Sequence, residues 1–323
     1  MLRTISLPLL STLVIAGFLF SSCSGNAGAS SEPHEPAAFD AMDSQPAFQP
    51  TEQWNAYWYN GQAEVSSYTV QQGRYRDSHP GSAVVIFVTE DFSKSKQVKL
   101  DDPYNAGKDK VKVMKMNQSL KFNTGLYPYS VMLSTFLPVD RNNYPNALKV
   151  TNSVQEWCGM AFMQANREEN DLVVKQFSYF ETEGDQIFEF PETFTEDELW
   201  NVIRLSPDDL PLGELEMIPS FTHLRFSHQP VKPYRAEASL SNKKNGYRYT
   251  IYYPQLARTF TLHFSKDFPY TIDGWEDTYS GFGGRTVKTF AERDTTIMID
   301  YWNKNSPGDR ALRKELGLPE VWQ

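Results

Sequence analysis

Cys158 is the side chain whose chemistry could serve catalysis most directly. It lies in Glu156-Trp157-Cys158-Gly159 and would act as a nucleophile if a histidine lowered the pKa of its thiol. No histidine is close to it in sequence, and a free cysteine is most often a small buried hydrophobic residue. The sequence favours a structural role for Cys158, with a nucleophile beside a distant histidine as the alternative.

The histidines do not form an obvious metal or hydrolase motif. His223 and His228 are five residues apart in FTHLRFSH, which we predict to be a β-strand. Because side chains alternate between the two faces of a strand, these rings cannot easily share one metal ion. The chain also lacks a G-x-S-x-G elbow and a Walker loop. We therefore expect no catalytic residue, no metal and no cofactor.

Two further clusters have residue types that could bind a ligand. Glu181, Glu183 and Asp185 alternate along a predicted strand, and several oxygens on a flexible loop suit calcium. We interpret them instead as a solvated strand end. The glycine cluster in residues 280–285 lacks the strand-to-helix context of a phosphate-binding loop, which favours a hairpin loop.

The aromatic residues give the better candidate for a binding site. Tyr127 and Tyr129 alternate along one predicted strand, and Trp157 and Tyr179 belong to the central strands. An aromatic face on a curved sheet could line a groove for acyl chains or stack on sugar rings. These four residues are the predicted ligand-binding set. The alternative is that they form core beneath the helices.

The elements that would position these residues are predominantly strands. Residues 148–166 and 172–183 are long extended runs on either side of a charged turn, and they predict a central β-hairpin. Turn residues 77–81, Asp-Ser-His-Pro-Gly, predict another hairpin nearer the N-terminus. The pattern predicts a mostly β fold, with a large curved antiparallel meander sheet that forms a half-barrel or a twisted sheet.

Only one or two short α-helices are expected beside this sheet. Thr195-Glu196-Asp197-Glu198 fits a capping box, and apolar residues follow at helical spacing until Ser206-Pro207. A second helix is predicted after Ser306-Pro307, with Gly317 as its end.

The N-terminal 22 residues have the composition of a secretory signal peptide. Arg3 precedes a mostly apolar run of about 16 residues, which is short for a membrane-spanning helix. Small residues then stand directly before Cys23, a pattern that resembles a bacterial lipoprotein signal. We expect Cys23 to carry lipid, which would hold the protein to a membrane.

Composition divides the rest of the chain into a tether and a folded part. Residues 23–50 are rich in Ser, Ala, Pro and Glu, which predicts a disordered tether. Residues 51–323 are predicted to form a β-rich globular domain, with a possible internal boundary near 191–210. The formal charge of −9 disfavours a nucleic-acid partner, since such binding depends on Lys and Arg at phosphates.

Several strings of the chain together carry a family resemblance. They are Trp58-Tyr59-Asn60-Gly61 running into AEVSSY, then AVVIFVTEDFSKSKQVKLD, KFNTGLYPYSVMLSTFLPV, LKVTNSVQEWCG and FSYFETEGDQ. These strings resemble a family of uncharacterised envelope lipoproteins of Bacteroidetes-type bacteria, some members of which carry the name septum formation inhibitor Maf. The Maf nucleotide pyrophosphatases open with Ser-x-Ser-Pro-Arg-Arg, which this chain does not contain. The strand meander with a capping helix is also similar to the periplasmic half-barrels of the LolA/LolB type.

Together these features predict a lipoprotein of the bacterial cell envelope. Its globular part would lie in the periplasm or at the cell surface, anchored by lipid with the outer membrane favoured. A non-enzymatic role towards a lipid, a glycan or another envelope protein is expected, because no catalytic motif is present. An envelope hydrolase whose site is assembled in space is the alternative.

Overall fold

The computed structural model describes residues 48–319. The predicted signal peptide, Cys23 and all but the last three residues of the predicted tether lie outside the described residues. The strands are β1 Ala63–Arg74, β2 Asp77–Ser93, β3 Val98–Lys99, β4 Lys110–Thr124, β5 Tyr127–Pro138, β6 Lys149–Glu156, β7 Gly159–Glu168, β8 Asp171–Ser178, β9 Gln186–Pro191, β10 Gly213–Met217, β11 Tyr234–Lys243, β12 Gly246–Tyr253, β13 Arg258–Phe264, β14 Ile272–Ser280 and β15 Thr286–Ile299. The α-helices are α1 Glu52–Trp58, α2 Leu199–Leu205, α3 Phe221–Ser227 and α4 Ala311–Glu315.

All fifteen strands belong to one antiparallel sheet, so the predicted mostly β fold is confirmed. The strand order is β10-β11-β12-β13-β14-β15-β1-β2-β4-β5-β6-β7-β8-β9, with β3 added beside β2. Strand β1 joins two halves of the sheet, one formed by β2 to β9 and the other by β10 to β15, because it pairs with β2 on one side and β15 on the other. Most other neighbours in the sheet are consecutive strands, as expected of a meander, although helix α3 lies between β10 and β11 and β9 does not pair with β10.

The sheet curves around a core that its own helices complete. Buried side chains from α1, α2 and α3 form one cluster with residues of strands in both halves. Thr195, which follows β9, forms a parallel bridge with Ile218, which follows β10. Since β9 and β10 are the two edge strands, this bridge brings segments from opposite edges together without closing the sheet. The helices therefore fill the concave side, where their apolar faces are removed from water.

Helix α2 lies inside the core because most of its residues are apolar. Its sequence LWNVIRL has all seven residues buried, so it is apolar almost all round, as a helix inside a core must be. Its polar members have partners on the sheet, since the Asn201 amide donates to the Met114 carbonyl at 2.8 Å. Ser206-Pro207 ends the helix, as the sequence predicts.

The strand ends define two opposite ends of the sheet. The turns β1–β2, β4–β5, β6–β7 and β8–β9 lie at one end, which we call the hairpin rim. Helix α1 lies towards the other end, where the Trp58 carbonyl accepts a hydrogen bond from Thr89 at 2.8 Å. Thr89 is twelve residues along β2 from Asp77, or about 40 Å at roughly 3.3 Å per residue.

Two predicted strand boundaries are wrong. Residues 148–166 are not one strand, because Trp157 and Cys158 form the tight turn between β6 and β7. Residues 77–81 are not a turn but the start of β2, and the chain reverses at Tyr75 and Arg76. Pro80 is tolerated there because the pairing of β2 with β4 begins only at Gly81, so the missing amide hydrogen removes no bond from that ladder.

The helix content also differs from the prediction. The described residues contain four short α-helices where one or two were expected. The residues FTHLRFS form helix α3 and not a strand, so His223 and His228 do not alternate across a sheet. Phe221 and Leu224 are both buried at helical spacing, and His228 ends the helix in the left-handed conformation with φ 52°.

Candidate functional site

Three consecutive acidic residues lie inside the sheet, immediately before α2. Glu196, Asp197 and Glu198 form a 3₁₀ turn and are between 1% and 3% exposed. Burying a carboxylate is costly unless partners replace its water. Each of the three finds a partner on a different element, so this acidic turn ties separate parts of the fold together.

Glu196 forms the most extensive of these contacts. Arg258 on β13 donates to both of its oxygens, at 2.6 and 2.8 Å, and the Tyr253 hydroxyl donates at 2.7 Å. The same guanidinium donates to Asp277 on β14 at 2.8 and 3.1 Å. Burial alone lowers the pKa of Arg258, but Asp277 and Glu196 together raise it well above its usual value. The group therefore holds its charge in the core.

Asp197 and Glu198 are held mainly by backbone donors. The Phe221 amide donates to Asp197 at 3.0 Å, and the Ala147 amide donates to Glu198 at 3.1 Å. Burial raises the pKa of each carboxyl to about 7, against the partial opposition of these amides. Both side chains consequently titrate near neutral pH.

A small polar cavity of about 60 Å³ adjoins the acidic turn. Glu196, His223, Arg258 and Asp277 are among the residues that line it. The volume suits a few ordered water molecules but not a substrate. Burial and the charge of Arg258 lower the pKa of His223 well below its usual value, so this ring is neutral.

Ser227, His223 and Asp277 lie in the order of a hydrolase triad but are not joined as one. Ser227 Oγ lies 3.3 Å from His223 Nε2 but donates at 2.7 Å to the His223 backbone carbonyl. His223 Nδ1 is 3.8 Å from Asp277 and has no hydrogen-bond partner among the described residues. A working triad needs both hydrogen bonds. The contacts instead fit a serine bonded back to its own helix.

Cys158 lies at the hairpin rim and is exposed, contrary to the expected buried residue. Its backbone amide donates to Glu156 at 2.7 Å. A hydrogen bond to Glu156 and the negative charge of that carboxylate raise the pKa of the Cys158 thiol. Nucleophilic cysteines require the opposite shift, so the environment does not activate this thiol.

The four predicted ligand-binding residues lie near one another at the hairpin rim but differ in exposure. Tyr129 is 2% exposed and stacks on Phe122 at 4.8 Å, so it belongs to the core. Trp157 and Tyr179 are 67% and 65% exposed. Tyr127 lies between these groups, with its ring 5.9 Å from Tyr129 and 6.3 Å from Trp157.

Further apolar side chains are exposed at this end of the sheet. Leu126 at the β4–β5 turn is 80% exposed. Met160 on β7 and Phe177 on β8 are about half exposed, but both alternate with buried neighbours along their strands and therefore point to the outer face of the sheet. We call the set Leu126, Trp157 and Tyr179 the aromatic rim surface. Exposed apolar patches are uncommon on monomers and are typical of interaction sites.

The backbone fixes these rings in place. Tyr179 packs on Gly159, where a β-carbon would come within 2.6 Å of the tyrosine ring. Trp157 is held in a two-residue turn whose flanking residues, Glu156 and Gly159, are paired in the β6–β7 ladder. The rings are therefore presented on rigid hairpin tips and need little ordering when they bind.

A polar cluster borders the aromatic rim surface. Glu183 contacts His228 Nδ1 at 2.6 Å and Arg225 at 3.8 Å, and Arg225 lies 4.2 Å over the Phe180 ring. Burial opposes the charge on Glu183, but these partners lower its pKa overall. Glu183 is thus in a turn and paired with a histidine, not on the solvated strand that the sequence suggested.

The sequence analysis missed the acidic turn and the exposed tip at Leu126. Glu196, Asp197 and Glu198 fit a helix cap, which is the usual role of acidic residues before a helix, and no local feature of the sequence indicates their burial. Leu126 follows the turn residue Gly125, and that position indicated an exposed tip. The pairing of Arg258 with Glu196 had no local signal, because 62 residues separate them.

Neither a metal-binding cluster nor a membrane-spanning helix is found among the described residues. No group of three or more His, Cys, Asp or Glu within residues 48–319 is placed to hold a metal ion. No helix in the same part of the chain is long and apolar enough to cross a bilayer.

Fold and surface together define an open antiparallel sheet around a largely apolar core that encloses a buried acidic turn, with a rigid aromatic surface at one end. Comparisons of the chain with family models, with curated proteins and with solved structures find no significant match.

Proposed function

We propose that this chain is a lipid-anchored protein of the bacterial envelope that binds another envelope protein through its aromatic rim surface. The observation that carries the proposal is the exposure of Trp157, Tyr179 and Leu126 on rigid hairpin tips. The resemblance to Bacteroidetes-type envelope lipoproteins, and the lipoprotein-like sequence that ends at Cys23, support the location.

The composition of the surface favours a protein over a glycan or a lipid. Trp, Tyr and Arg are the residues that dominate protein interfaces, and a polar border around an apolar centre is typical of them. Leu126 offers no flat ring for a sugar, although it is 80% exposed. The exposed His228, paired with Glu183, provides a polar border, and the buried Arg225 lies behind it.

The position of the surface also suits an anchored protein. Residue 48 begins the described chain near α1, since the Phe48 ring packs on Trp54 at 5.6 Å. Helix α1 lies towards the end of the sheet opposite the hairpin rim. The tether predicted from the composition of residues 24–47 would have a root-mean-square reach of roughly 25–30 Å between Cys23 and this end. The rim would remain accessible at the far end of the domain.

Site-specific photo-cross-linking in living cells tests the proposal. The full chain carries a photoreactive phenylalanine analogue in place of Leu126, and a matched chain carries it at Tyr104, which is also exposed but belongs to the loop after β3. We expect one discrete protein adduct from position 126 and none of that size from position 104. Adducts that contain only lipid or glycan, or equal adducts from both positions, would overturn the proposal.

The anchor has a separate test. Cys23→Ala in the full chain removes the only thiol at the predicted cleavage site, so the protein should move from the membrane fraction to the soluble fraction. Cys158→Ala is the matched control and should stay with the membrane. An unchanged membrane fraction in Cys23→Ala would contradict lipid anchoring.

A further inference from the structure

A groove of about 550 Å³ lies away from the hairpin rim, beside the C-terminal end of α1. Its walls come from the α1–β1 connection, the end of β2, the loop after β3, and the turn at residues 301–303. This volume falls within the range of roughly 300–1,000 Å³ that binds small molecules. The groove shares no residue with the aromatic rim surface.

Two half-exposed aromatic rings line this groove. Tyr59 is 46% and Trp302 is 45% exposed. Each ring is supported by a neighbour at a steep angle, Tyr59 by Trp54 at 5.2 Å and Trp302 by Tyr301 at 5.4 Å. Such edge-to-face contacts stabilise ring orientation. The rings are thus positioned as platforms before any ligand arrives.

Charged side chains between the rings are paired with one another. Lys112 Nζ lies 2.7 Å from Asp91, and Lys99 Nζ lies 3.7 Å from Glu90. Glu90 also accepts from Lys115 at 2.6 Å. Two lysines and two carboxylates therefore line the groove, and their formal charges cancel.

We propose that this groove binds a neutral saccharide. Sugar hydroxyls both donate and accept hydrogen bonds, so they match a lining that offers ammonium donors and carboxylate acceptors side by side. The apolar C–H face of a sugar ring suits the flat faces of Tyr59 and Trp302. An anionic ligand would meet two carboxylates, and an acyl chain would have to desolvate four charged groups.

Lys112 links the two parts of the site. Its ammonium lies 5.6 Å from the centre of the Tyr59 ring while it pairs with Asp91. A ligand stacked on Tyr59 would therefore meet this lysine and its carboxylate partner at the ring edge. The same side chains supply stacking and hydrogen bonding to one sugar unit.

Calorimetric titration of the full chain with neutral trisaccharides tests the inference. The probes are chitotriose, cellotriose, maltotriose and mannotriose, with a uronic acid trisaccharide as the charged comparison. We expect at least one neutral probe to bind with a Kd of about 1 mM or tighter. Trp302→Ala and Tyr59→Ala should each weaken that probe about tenfold or more, a loss of about 1.4 kcal/mol.

Matched variants separate this site from the rim and from misfolding. Trp157→Ala should leave saccharide affinity unchanged, because the rim lies apart from the groove. Asp91→Asn keeps the volume and removes one acceptor charge, so it should also weaken binding while the melting temperature stays near that of the parent chain. Absence of binding by every neutral probe, binding of the uronic acid probe alone, or affinity unchanged by Trp302→Ala would overturn the inference.

Discussion

Inside the sheet, the carboxylates of Glu196, Asp197 and Glu198 are almost fully removed from water, whereas Trp157 and Tyr179 at the hairpin rim are about two thirds exposed. The usual distribution of charged and aromatic residues is reversed in these two regions. Buried acids are tolerated because each has a defined donor on another element. The exposed rings have no comparable contribution to folding and remain available for binding.

The acidic turn depends on the fold as a whole, whereas the rim depends on single hairpins. The acidic turn requires β13, α3 and the β5–β6 connection to arrive in register, since each supplies one partner. The rim rings require only their own hairpins. Substitutions in the acidic turn should therefore lower stability, and substitutions at the rim should weaken binding.

The largest expected effect is that of Arg258→Ala. It leaves Glu196 and Asp277 without the cation that both share, and removing one partner of a buried pair costs about 3–5 kcal/mol. Urea unfolding measures this loss. Arg235→Ala, which breaks an exposed pair with Glu214, is the control and should cost less than about 1 kcal/mol. Equal losses of unfolding free energy in the two variants would contradict a larger contribution from the buried pair.

An intermediate effect is expected from pH. The pKa of Asp197 and of Glu198 is about 7 in the folded chain, above the ordinary values of 3.8 and 4.5. Between those values the folded state holds protons that the unfolded state has released. This contribution to stability is therefore full below about pH 4, falls as pH rises to about 7, and is then constant.

The double variant Asp197→Asn, Glu198→Gln should lack this contribution to the pH dependence of the unfolding free energy. His223 acts in the opposite sense below its ordinary pKa, because the folded ring stays neutral, but it is present in both chains and cancels in the difference. Unfolding free energies at pH 5 and pH 7 give that difference. As pH falls, the unfolding free energy of the parent chain should rise relative to that of the variant by up to about 1.4 kcal/mol per pH unit per group. A difference independent of pH would contradict the assignment.

A smaller effect is expected at the rim thiol. Glu156 raises the pKa of Cys158, so Glu156→Gln should lower that pKa and increase the thiolate fraction. Alkylation by iodoacetamide at pH 7.5 should become about threefold faster, since the thiolate is the reacting form. Glu181→Gln changes another exposed rim carboxylate and should leave the rate unchanged. An alkylation rate unaffected by Glu156→Gln would show that Glu156 does not raise the pKa of the Cys158 thiol.

The predictability of the fold from sequence varied with the range of the interactions. Alternating patterns and turn residues predicted the antiparallel sheet, the helix before Ser206 and the helix after Ser306, because these depend on neighbouring residues. The high β-propensity of FTHLRFS hid helix α3, whose formation depends on packing of Phe221 and Leu224 in the core. Tertiary packing overrode the local preference there.

The candidate sites were less predictable for the same reason. Their aromatic side chains identified Trp157 and Tyr179 as candidates for a binding site, but only the turn at residues 157 and 158 decides that Trp157 faces solvent. The groove brings Tyr59 and Trp302 together from opposite ends of the sequence. No periodic pattern carries that information, since it depends on the pairing of β1 with β15.

The most direct test of the rim as a binding surface is Trp157→Ala in the chain that carries the cross-linker at position 126. We expect an unfolding free energy within about 1 kcal/mol of the parent, because the ring is mostly exposed, and a loss of most of the protein adduct. Trp58→Ala, which removes a buried ring, should instead cost about 3–5 kcal/mol. A destabilisation of that size in Trp157→Ala, or an undiminished adduct, would contradict the proposed role of the rim.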